Sequence, residues 1–175
     1  MQTFARYGLA LDRLFDDSSD IRLGDPVAAR FSDWGLVWTA PEQATASSLR
    51  DGLPLYTAAS GAARLVLIPF LAARQGGTPV PGDLVRIRIL SGAACGRELQ
   101  HGCHGAPDAL FAAAFDSARA GDFLWRLDVG AATIDGLTFC IRPANDARAC
   151  VINYKGGLEL SRNPAELSSV TFSPA

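Results

Sequence analysis

The residues best suited to chemistry are concentrated in "CGRELQHGCHG", residues 95 to 105, which holds both histidines and two of the four cysteines of this 175-residue chain. Cys95, His101, Cys103 and His104 supply four atoms that zinc accepts, but structural zinc ligands usually come as Cys-x2-4-Cys or His-x3-5-His pairs. Here the order is C-x5-H-x-C-H, and adjacent residues in extended backbone point to opposite sides, which sets Cys103 against His104. A nucleophilic Cys103 is the second chemistry. It would lie just ahead of a helix beginning near Pro107, where a helix N-terminus lowers a thiol's pKa. Activation also requires a base and an orienting group in space, and the sequence nominates no Asn or Asp for that role. The third reading is a stapled loop in which Cys95 bonds Cys103 and the intervening glycines allow the return. The stapled loop is the expectation adopted, so no metal and no cofactor is expected. A Cys/His-centred hydrolase or zinc protein built on residues 95 to 104 is the alternative.

The other cysteines repeat the local pattern. Cys140 and Cys150 flank "RPANDAR", a run of turn formers between two β-favouring segments. A hairpin with its apex near Asn145 would set the two cysteines across from each other on neighbouring strands. In the loop-entropy account, either local disulfide restricts the unfolded chain by roughly 2.5 to 3 kcal/mol. Disulfides persist outside a reducing cytosol, so a periplasmic or secreted location is expected, with a cytoplasmic protein carrying four thiols as the alternative. The N-terminal "MQTFARYGLALDRLF" lacks the h-region and cleavage site of a secretory signal.

Composition excludes several classes of function. The net charge is −2 and the pI near 5.6, with no run of basic residues, so there is no electrostatic footprint for nucleic acid. Lys155 is the only lysine among sixteen basic residues, a bias that fits a GC-rich bacterial genome. The longest apolar run, "LVLIPFLAA" from Leu65 to Ala73, is far shorter than the about 18 to 20 residues a membrane span needs, and Pro69 interrupts it. Signatures of nucleotide-binding loops, serine hydrolases and zinc proteases are missing. "FDDSSD" lacks the spacing and glycine of a calcium loop.

These residues need elements to hold them. Phe4, Tyr7, Leu11 and Leu14 recur at helical spacing and predict an N-terminal helix that stops at "DDSSD". "LVRIRIL", residues 84 to 90, alternates strictly, so Val85, Ile87 and Ile89 face a core while Arg86 and Arg88 form a solvated face. "APDALFAAAFDSARAGD" predicts an internal helix from Pro107 to a C-cap at Gly121, with Leu110, Phe111, Ala114, Phe115 and Ala118 on its buried side. "DFLWRLDVG", "GLTFCIR", "ACVINY" and "LELS" read as successive antiparallel strands with short turns. Trp34, Trp38 and Trp125 lie in apolar, strand-like surroundings that assign them to the core. No internal repeat is visible. One resemblance is local: "LTFCIRPANDARACVINYKGGLEL" resembles the closing hairpins of minor pilins and pseudopilins, over about two dozen residues. It implies a β-rich head and transfers no functional residue.

The expected architecture is therefore α+β, one domain over residues 1 to 175, with two helices packed on a mainly antiparallel sheet. The expected function is a non-enzymatic bacterial envelope or secreted module: a pilus-like subunit, an immunity-type inhibitor or a small binding protein. Its expected partner is another protein, with no nucleic acid and no membrane span in the chain.

Overall fold

The structure, a computed structural model, describes residues 21 to 102, 108 to 129 and 137 to 175. Alternation of apolar and polar side chains runs through it. In β1 (Pro26–Phe31) the residues Val27, Ala29 and Phe31 are buried. Leu65 and Leu67 of β5 (Leu65–Pro69) and Val85, Ile87 and Ile89 of β6 (Leu84–Ile89) face the same interior. So do Trp125 and Leu127 of β9 (Trp125–Val129), Phe139 and Ile141 of β10 (Leu137–Pro143), and Val170 and Phe172 of β13 (Val170–Pro174). A strand that buries every second residue must be one wall of a layer. These six walls close on themselves: β1 pairs with β13, β13 with β10, β10 with β9, β9 with β6, β6 with β5, and β5 with β1. A closed ring leaves no unpaired sheet edge in the barrel.

Three hairpins cover one end. They are β2 (Val37–Thr39) with β4 (Tyr56–Ala58), β7 (Glu98–His101) with β8 (Leu110–Ala113), and β11 (Cys150–Tyr154) with β12 (Gly157–Ser161). Each touches the other two, through Tyr56 with Gly157, Ala109 with Glu159, and the short β3 (Leu53–Pro54) with β8. The six-stranded barrel under a triangle of hairpins is a β-trefoil, built from three units of strand, hairpin and strand. Three equivalent backbone hydrogen bonds mark the pseudo-threefold axis: Ser32 N–H to Ser169 O at 2.9 Å, Leu90 N–H to Arg64 O at 2.7 Å, and Ala144 N–H to Leu124 O at 2.9 Å. The repeat that the sequence does not display is therefore present in the backbone.

Several expectations are corrected. The α+β class gives way to antiparallel β structure, in which the one α-helix among the described residues is the single short turn α1 (Ala46–Asp51). The expected helix over Phe4 to Leu14 lies outside the described residues. The expected helix after Pro107 is instead β8 and a 3-10 segment from Ser117 to Phe123, kinked at Arg119. Its burial has period two, with Leu110 and Ala112 inside, and all four residues of β8 pair with β7. Alanine's helix preference is worth only tenths of a kcal/mol per residue, less than a ladder and a buried face supply. Phe115 is accordingly 41% exposed and packs on Phe123 and the Arg86 guanidinium instead of entering the core.

The segment from Leu84 to Ile89 is the alternating strand that its pattern predicts, with Val85, Ile87 and Ile89 fully buried. Its arginine face is not simply solvated. Arg86 and Arg88 converge on Glu98, a carboxylate with no exposed surface on the adjoining β7. Prolines open β1 and close β5, β10 and β13, positions where a missing N–H disturbs a ladder least.

Cys140 and Cys150 form the expected disulfide, with Cα atoms 6.3 Å apart. The predicted hairpin around it is not formed. β10 pairs with β9 and β13 while β11 pairs with β12, so the bond fastens a barrel strand to the capping hairpin of its own unit. Reduction of the folded protein is expected to lower its stability by about 2.5 to 3 kcal/mol, seen as a lower urea midpoint with reductant than without. A Cys140→Ala, Cys150→Ala variant with the parent's midpoint would contradict this.

Candidate functional site

The pseudo-threefold axis sets up three equivalent grooves, each where the connection after a first barrel strand meets the hairpin of the preceding unit. The groove behind β2 is closed: Ala93 N–H bonds Pro41 O at 2.8 Å, and a Cβ on Gly92 would lie 2.9 Å from that same oxygen. The other two are open.

The first open cleft, about 310 Å³, lies between the β1–β2 turn, β11 and the β12–β13 connection. Asp33, Trp34, Asn153, Tyr154, Glu166 and Leu167 line it. The turn is tight: Gly35 N–H bonds Phe31 O at 2.9 Å, and Phe31 N–H bonds Leu36 O at 2.9 Å. Gly35 takes a φ of +64°, which glycine adopts without strain. This backbone holds Trp34 outward with 67% of its surface exposed, whereas Trp38 and Trp125 are fully buried. The expectation that all three tryptophans are core is thus corrected for Trp34. The usable signal was "DWG", in which a turn-forming Asp and a glycine bracket the indole. Asn153, which lines the cleft, accepts a hydrogen bond from Thr57 Oγ1 at 2.9 Å through Oδ1.

The second open cleft, about 290 Å³, is lined by His101 and Gly102 at the end of β7, by Pro143, Asn145 and Asp146, and by Leu160 and Arg162 of the third unit. Its charges are mutually satisfied, since Arg162 bridges Asp108 and Asp146. Burial alone would raise the Asp146 pKa, but the Arg148 N–H and the Arg162 guanidinium bring it below the usual carboxylate value.

His101 is 6% exposed, packs edge-on against Trp125 with ring centres 5.1 Å apart, and leaves Nε2 buried without a hydrogen-bond partner. Burial lowers its pKa, partly offset by Asp122, Asp146 and the Gly121 and Leu124 carbonyls. A histidine with a depressed folded pKa stays neutral while the unfolded chain takes up a proton near pH 6.5, so stability falls as pH drops below that value. Urea midpoints of the parent are expected to decline between pH 7 and the onset of carboxylate protonation. His101→Gln should flatten that interval, and an unchanged slope would refute the assignment.

Of the metal-binding or catalytic residues proposed from sequence, only Cys95 and His101 are among those described, and these two are not brought together. Cys95 is exposed in the β6–β7 connection with Sγ 3.4 Å from the Leu90 carbonyl oxygen, and β7 runs between it and the buried His101. Cys103 and His104 lie outside the described residues, so the Cys95 to Cys103 bond and the four-residue metal set remain expectations. Among the described residues no three His, Cys, Asp or Glu side chains converge as metal ligands. No helix among them is long and apolar enough to cross a membrane.

By sequence the chain matches no family profile and no curated protein. By structure it is similar to β-rich proteins that share its fold. A type II water-soluble chlorophyll-binding protein matches with a TM-score of 0.67 at 9% identity, over 89% of this chain and 93% of that one. A Caenorhabditis elegans protein of unknown function matches with a TM-score of 0.64 at 14% identity, over 90% and 98%. Lysenin, in complex with phosphocholine, matches with a TM-score of 0.60 at 8% identity, over 90% of this chain but 47% of the lysenin chain. At these identities the likeness establishes the fold alone.

Proposed function

We propose that this chain is a non-enzymatic binding module, secreted or periplasmic in a bacterium, that seats a small ligand in the cleft beneath Trp34. The observation that carries the reading is the exposed indole. A large aromatic ring held outward on a rigid turn, beside an open cleft with polar groups, is the arrangement from which ligand sites are made. The ligands of the similar structures, chlorophyll and phosphocholine, are chemically unlike, which supports reading the fold as a scaffold with changeable loops. The Cys140–Cys150 disulfide supports the oxidising location, and the arginine bias supports the bacterial source.

Trp34 also provides the test. With Trp38 and Trp125 buried, it dominates quenching by acrylamide. A small-molecule library screened for protection of the indole should yield binders whose affinity falls in Trp34→Ala. Binders that hold Trp34→Ala as tightly as the parent would place the site elsewhere.

A second reading, with a protein partner as expected from sequence, is favoured by one feature. Phe70, Leu71 and Val80 are exposed on the β5–β6 connection, at the barrel end away from the hairpins. Phe70→Ser with Leu71→Ser should abolish capture of a partner if that patch carries the function, while leaving Trp34 protection intact.

A further inference from the structure

The Trp34 cleft carries charge as well as aromatic surface. Asp33 and Glu166 place two carboxylates on its wall, and no Lys or Arg lines it. Asp33 makes no ion pair among the described residues. Glu166 Oε2 accepts the Ser161 hydroxyl, which steadies that carboxylate without neutralising it. Trp34 and Tyr154 are both exposed, and the negative faces of such rings attract cations. One cation already uses this property: the Lys155 ammonium lies 5.1 Å from the centre of the Tyr154 ring.

Lys155 is held there by the backbone. Residues 155 and 156 form the two-residue turn between β11 and β12, with φ of +49° and +82°, the sign a twisted hairpin requires. This conformation is unusual for lysine and suits asparagine or glycine.

We infer that the cleft between the β1–β2 turn and β11 binds an organic ammonium ion, its alkyl groups against Trp34 and Tyr154 and its charge facing Asp33 and Glu166. This rests on the reading of the Trp34 cleft as the ligand site. Charge sets this class against the alternatives: an anion would face two carboxylates, and a neutral polyol would donate hydroxyls to them but leave their charge uncompensated. Lys155 acts as a resident competitor for the Tyr154 ring.

The test compares choline with 3,3-dimethyl-1-butanol, its uncharged isostere, by titration of the intact protein monitored through Trp34 emission. A cation-selective cleft should hold choline about tenfold more tightly than the alcohol. Asp33→Asn should weaken choline about fivefold, as should Trp34→Ala, which lacks the reporter and is titrated by calorimetry alongside the parent. Lys155→Asn, which suits the turn backbone and removes the competitor, should strengthen choline binding and leave the alcohol unaffected. Circular dichroism confirms that each variant is folded. Equal affinities for choline and the alcohol, or choline binding unmoved by both Asp33→Asn and Lys155→Asn, would overturn the inference. If the emission responds to neutral saccharides or apolar ligands and not to choline, the cationic class fails while the cleft remains the site. If Trp34 is protected by nothing in the panel or the library, both fail together.

Discussion

Trp125→Ala is expected to lower the unfolding free energy by about 3 to 5 kcal/mol, a large share of the margin of an ordinary domain. Trp125 is completely buried on β9, and its indole N–H donates to the Leu99 carbonyl of β7 at 3.0 Å. One side chain thus fills the barrel interior and fastens a capping hairpin to the wall. Its removal opens a cavity between layers that closed strands cannot collapse to fill, and leaves the Leu99 oxygen without this donor. Trp125→Phe should recover most of the loss, because it restores ring area but not the N–H. Urea titration followed by far-ultraviolet circular dichroism reads both. An alanine variant with the parent's midpoint would show that the barrel is not packed around this ring.

Glu98→Ala should be the next most damaging substitution, at about 3 kcal/mol. Arg88 donates to Oε1 from Nε at 3.1 Å and from a terminal nitrogen at 2.8 Å, and an Arg86 nitrogen stands 3.4 Å from Oε2. The carboxylate is wholly buried, while both guanidinium groups reach water at their outer edges. Deleting the anion leaves two adjacent cations with no counter-charge, and partial hydration keeps the loss at the lower end of the range for a severed buried pair. Glu98→Gln, which preserves shape and one acceptor, should lose less. The double variant Glu98→Ala, Arg88→Ala should be less unstable than the sum of its parts, and strict additivity would mean that the ion pair contributes nothing.

Legibility in the sequence followed the range of the interactions. Residues 84 to 89 could be read because period-two alternation is a local signature of a half-buried strand. Their partner Glu98 could not, because only the ladder that sets Arg88 opposite Glu98 makes them neighbours. Leu110 to Phe115 was ambiguous, since its apolar residues satisfy both helical and strand spacing and the alanines tilt the choice toward helix. The threefold repeat was invisible because Ser32, Leu90 and Ala144 perform the same task with backbone N–H groups, which place no constraint on side chains. Cys140 and Cys150 were paired correctly because ten residues of chain bring them within reach in more than one local geometry, including the one that forms. At the candidate site, the residues around Cys95 and His101 stand out by type. Trp34 reads as core because its exposure depends on a tight turn, to which Asp33 and Gly35 are the local pointers.

The pairing of β1 with β13 has a temporal consequence. Val27 lies opposite Pro174 and Phe31 opposite Val170, so β1 can find one of its two barrel neighbours only after residues 170 to 174 are synthesised. Contacts of such sequence separation form slowly, because a long loop must be closed before they contribute. Until β13 has emerged from the ribosome the ring stays open along β1, whatever the earlier hairpins have done. Closure therefore waits for β13, and a channel that admits only unfolded polypeptide and engages the chain before then would meet it in the state it can accept.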